Sequence, residues 1–139
     1  MDWSVVSLLI AIIVVGIFIF VAILMTQKRG YTFDVAEYQT DFLSIENSLV
    51  KENRQSYNMC VVEADKLLDK ALCEMGASGK TMGDRLKHTG GKFSQLNSVW
   101  HAHKLRNQIA HEHGFNLEYN QARHALAVYK QALKDLGAI

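Results

Sequence analysis

Tyr57-Asn58-Met59-Cys60-Val61-Val62-Glu63-Ala64-Asp65-Lys66-Leu67-Leu68-Asp69-Lys70-Ala71-Leu72-Cys73-Glu74-Met75 decides the fold class. Tyr57, Cys60, Val61, Ala64, Leu67, Leu68, Ala71, Leu72 and Met75 recur at three- and four-residue steps. That period puts them on one broad apolar face of a helix. Gly76 and Gly79 end it. Toward the N-terminus, Tyr38, Phe42, Ile45 and Leu49 form a narrower stripe that ends near the polar run Lys51 to Gln55. Toward the C-terminus, Thr81-Met82-Gly83-Asp84 has the spacing of a capping box and predicts a short helix through Lys87. Gly90-Gly91 reads as a loop. A helix follows from Leu96 to about His111, with Val99, Ala102, Leu105 and Ile109 inward. Glu112 to Asn116 is a turn, and a last helix runs from about Glu118 to Leu136. Its inner face is Ala122, Ala125, Leu126, Tyr129, Ala132, Leu133 and Leu136.

No stretch alternates in the manner of a strand, and proline, which breaks helix interiors, is absent. Residues 37–139 therefore read as an all-α domain, a four-to-five-helix up-down bundle with short loops. An apolar face left over after folding would favour a homodimer.

Val5 to Met25 is 21 residues of apolar sequence interrupted only by Ser7 and Gly16. As a helix it spans roughly 30 Å, the thickness of a bilayer core. It is too long for a signal-peptide core, and it lacks a basic leader and a small-x-small cleavage site. Residues 1–27 read as a single transmembrane anchor in a lipid bilayer, and 28–36 as a linker. Trp3 marks the outer interface. Lys28 and Arg29 follow the apolar stretch while only Asp2 precedes it. The positive-inside rule then predicts a cell-membrane protein with its N-terminus outside and its C-terminal domain in the cytoplasm. Cys60 and Cys73 lie too far apart on one helix to bridge within it, and two free thiols suit a reducing compartment.

The net charge of +1 gives no global argument for nucleic acid. The charges are uneven, however. Lys80 to His113 holds six basic residues against two acidic ones, and five of the six histidines. A phosphate-binding face, a solvated basic surface and a surface drawn to anionic lipid all fit this balance.

Inside this stretch lies Arg106-Asn107-Gln108-Ile109-Ala110-His111. Arginine, a polar residue, three more residues and histidine, at the end of a helix in a helical domain, resembles the motif of the HEPN superfamily. The layout of an anchor joined to such a domain also resembles small bacterial membrane proteins. The resemblance implies a metal-independent endoribonuclease without cofactor, acting on cytoplasmic RNA as a homodimer. His111 would be the acid or base, Arg106 would stabilise charge on the phosphate, and Asn107 would orient them. Lys104, His103, Lys92, Lys87 and Arg85 would contact RNA. A nuclease of this kind would need a regulatory partner or a restricted substrate. The rival expectation is a non-catalytic interaction or nucleotide-binding module at the membrane.

Helical geometry constrains the motif. Arg106 and His111 lie roughly 140° apart on an ideal helix, so one helix does not present both to one phosphate unless it ends or a second copy contributes. The pairs His101-x-His103 and His111-x-His113 point in opposite directions on a helix, so no metal site is expected. Gly76-x-x-Gly79-Lys80-Thr81 lacks the glycine spacing and the preceding strand of a phosphate-binding loop.

Overall fold

The computed structural model describes residues 3–26 and 31–139. Among these residues the chain is all-α. Its helices are α1 (Trp3–Thr26), α2 (Val35–Asn47), α3 (Arg54–Glu74), α4 (Met82–Thr89), α5 (Leu96–His111) and α6 (Tyr119–Leu136), with a 3-10 turn at Gly90–Lys92.

Helix α1 forms a unit separate from the bundle. Its stretch Trp3–Ile23 is long and apolar enough to cross a membrane, and its side chains are exposed. This is consistent with a membrane anchor or a signal sequence. Lys28 and Arg29, on which the expected orientation rests, lie outside the described residues.

The second unit is Tyr31–Ile139. Sequence alone puts residues 28–36 in a linker, but the bundle already begins inside that segment. Phe33 is buried against Tyr38, with ring centroids 5.5 Å apart. Asp34 starts α2 by accepting from the Glu37 N–H at 3.1 Å, a side-chain cap for an otherwise orphaned donor.

Helix α3 is the centre of the bundle. It packs most extensively on α6, and α2, α5 and α4 surround it. Asn53 caps its start through the Gln55 N–H. At its end Gly76 takes a positive φ of 76°, and the Ala77 N–H returns to the Leu72 carbonyl, a turn that costs glycine little. Gly79 is more tightly constrained. A Cβ there would lie 2.5 Å from the Asp84 Cβ. That close approach seats the first turn of α4, where Thr81 and Asp84 form the expected capping box. Cys60 is buried and its thiol, pushed up by burial, donates to the Ile45 carbonyl; Cys73 is exposed, and both are free.

One polar contact pins the segment that leads into α5. The Asp135 carboxylate, near the end of α6, accepts from both the N–H and the hydroxyl of Ser94, each at 2.7 Å. Burial raises its affinity for a proton, but the Ser94 and Gln131 donors outweigh this and hold the carboxyl below its ordinary range. A carboxyl that binds protons less tightly folded than unfolded adds stability above about pH 4. That stability is lost as pH falls through the folded value. Asp135→Asn is expected to cost about 1 kcal/mol at neutral pH, given partial exposure, and progressively less as pH falls through the lowered folded value. Thermal melts of both proteins across pH measure the difference.

Candidate functional site

The motif helix α5 presents two different surfaces. Toward α3 it meets Asp65, a carboxylate with only 5% of its side chain exposed. Asp65 sits on the buried face of α3 and needs compensation there, because an unpaired buried charge is costly. Three side chains supply it. The Tyr129 hydroxyl on α6 donates to Oδ1 at 2.9 Å. Burial, and then the charge of Asp65, push that phenol far above its ordinary range, so it stays a donor. His103 Nδ1 lies 2.9 Å from Oδ1, and Arg106 Nε lies 3.4 Å from Oδ2. The arginine contact is an ion pair without hydrogen-bond alignment.

The ring closes through Asn107. Its Oδ1 accepts from Arg106 Nη1 at 3.2 Å, which turns its amide nitrogen toward His103 Nε2 at 3.4 Å. The carboxylate is an acceptor only, so His103 meets it with a proton on Nδ1. Asp65 thus joins three helices.

The other surface is an open groove between α5 and α6, with a volume of about 800 Å³. His101, Lys104, Asn107 and His111 reach it from α5, and His124 from α6.

The sequence-predicted residues therefore divide. Arg106, Asn107, His103 and Arg85 line the cleft beside Asp65. Asn107, His111 and Lys104 line the α5–α6 groove. Asn107 borders both, whereas Arg106 and His111 open on different sides. Arg85 is engaged by the Asp69 carboxylate, with both contacts at 2.7 Å, and by the Gly79 carbonyl. Lys92 donates to the Tyr31 hydroxyl. Lys87 is exposed and borders neither cavity. Among the described residues no three His, Cys, Asp or Glu side chains are placed to hold one metal ion.

No family model, curated protein or solved structure matches this chain. Asp65 escaped the sequence reading. The available signal was its position: four residues after Val61 and three before Leu68, in the middle of the apolar face of α3. A carboxylate at such a place requires partners from other helices.

Proposed function

We propose that this chain is a membrane-anchored helical interaction module, held in the bilayer by α1 with its bundle in the cytoplasm. The orientation is supported by Lys28 and Arg29 following the apolar helix. The observation that carries the reading is the division of the motif. Arg106 is turned onto buried Asp65, where it supports the fold, while His111 faces an open groove on another side.

The second reading is a HEPN-like, metal-independent ribonuclease under the control of a partner. One observation favours it: Asn107, Lys104 and His111 line the same groove. A second copy would have to bring an arginine to His111, since Arg106 of the same chain opens elsewhere.

RNA cleavage in EDTA separates the two. His111 is exposed, so His111→Ala tests chemistry with little effect on the fold. Arg106→Ala removes a brace of Asp65 and needs a melting curve beside every rate. The interaction reading expects folded wild type and folded His111→Ala to be equally inert on a broad RNA panel. Cleavage by wild type that leaves cyclic phosphate ends, and that His111→Ala abolishes, establishes the nuclease instead.

A further inference from the structure

We propose that the cleft walled by α3, α4 and α5 on the Arg106 side binds the phosphate group of a small phosphomonoester. The proposal goes beyond the interaction reading and does not depend on it.

The cleft has a volume of about 500 Å³. Four permanent cations line it, Lys66, Lys80, Arg85 and Arg106, against two carboxylates, Asp65 and Asp69. Its charge is therefore positive without any proton on a histidine. Not all of that charge is open to a ligand. Asp69 and the Gly79 carbonyl engage Arg85 on every side nitrogen, and Lys66 pairs with Glu63. Lys80 and Arg106 remain. Lys80 is exposed and has no partner among the described residues. Arg106 carries five N–H donors but makes one hydrogen bond, from Nη1 to Asn107. Its Nε is buried without an aligned acceptor, and its Nη2 donates to no described residue. Asp65 offsets the charge at 3.4 Å without satisfying these donors. An oxyanion at the free edge of the guanidinium supplies an acceptor that the fold leaves out.

Helix α4 adds to these side chains. Its first two residues, Met82 and Gly83, line the same cleft. The first N–H groups of a helix have no partner within it, and the Thr81 hydroxyl serves the Asp84 N–H. The Asp84 carboxylate, which would repel an anion, is turned back onto the Thr81 N–H at 3.2 Å and does not line the cleft. A guanidinium edge, an ammonium and two amides match the three terminal oxygens of a phosphate better than the two of a carboxylate. No aromatic ring lines the cleft. A strand of RNA, which relies on stacking platforms and a track of cations, is the poorer occupant.

The test uses the full chain in phosphatidylcholine nanodiscs at low salt, titrated calorimetrically with inorganic phosphate and with glycerol 3-phosphate. Saturable binding with Kd on the order of 1 mM or below is expected. Lys80→Gln removes an unpartnered surface cation, so it leaves the melting midpoint unchanged and weakens binding about three- to tenfold. Arg106→Lys keeps a charge beside Asp65 but lacks the fork, and weakens binding about tenfold in protein that a melting curve shows to be folded. Nanodiscs that also hold phosphatidic acid identify the source. Competition by that lipid, and none by phosphatidylserine, assigns the site to a lipid headgroup; no competition assigns it to a soluble phosphoester. Absence of saturable binding up to about 10 mM, or binding equal in wild type and Lys80→Gln, overturns the proposal. Displacement of phosphate by an oligouridine without a terminal phosphate also overturns it, and gives the cleft to polynucleotide. None of these results bears on whether His111 cuts RNA, so the readings above stand or fall separately.

Discussion

Asp65→Ala is expected to destabilise the bundle by about 3–5 kcal/mol, the usual result of leaving one half of a buried ion pair without its partner. The substitution orphans the Tyr129 hydroxyl and His103 Nδ1, and leaves Arg106 facing a cavity. A domain of this size has roughly 5–15 kcal/mol in all, so a fall in melting midpoint of more than about 10 °C follows. Asp65→Asn keeps the shape and one acceptor oxygen. It should cost less, about 1–2 kcal/mol, mainly through the lost charge. Replacing its charged pair and the phenol together, Asp65→Leu with Arg106→Met and Tyr129→Phe, should recover part of the alanine loss, because no buried ion pair then remains, while His103 and Asn107 stay polar. Thermal and urea melts of the four proteins decide the matter. An Asp65→Ala protein melting within 2 °C of wild type refutes the account, that margin being roughly the size of an ordinary surface effect.

The second large effect concerns α1. The full chain is expected to remain with membranes after high-salt and alkaline washes, whereas the fragment 31–139 is expected to be wholly soluble with an unchanged melting midpoint. The core that holds the bundle together begins at Phe33, so nothing in it is lost by the cut. Fifteen of the residues in Trp3–Ile23 are Leu, Ile, Val or Phe. At about 0.3–0.6 kcal/mol each, they favour insertion by roughly 5–9 kcal/mol. One central arginine opposes this by about 3 kcal/mol and should weaken retention only in part. Arginine at both Ile13 and Ile17 should release most of the chain. Fractionation and intact-mass measurement check the result. A soluble product lacking its first residues would identify α1 as a cleaved signal sequence.

The elements that sequence made legible are those whose cause is local. Period marks α3 and α6, and the Thr81–Asp84 cap marks α4. The span of α5 follows from its inward Val99 and Ala102 and from the turn after His111. Where a long-range contact decides, the sequence was silent. Phe33 reads as polar linker until Tyr38 is seen beneath it. Arg106 reads as a free catalytic cation, and only the fold shows Asp65, far away in the chain, beside it. The expected angular separation of Arg106 and His111 was legible, because it follows from helix geometry alone. What each of them meets was not, since that depends on how α3 and α6 close around α5.

The dominance of the α3–α6 contact has a consequence for biosynthesis. Translation delivers α3 before α6, and at ~5–20 residues per second the interval between them lasts on the order of seconds. Throughout that time α3 has no principal partner, and its broad apolar face, with Asp65 in the middle, is uncovered. Final compaction of the bundle waits on α6, and until then the uncovered face of α3 is open to encounters with other unfinished chains.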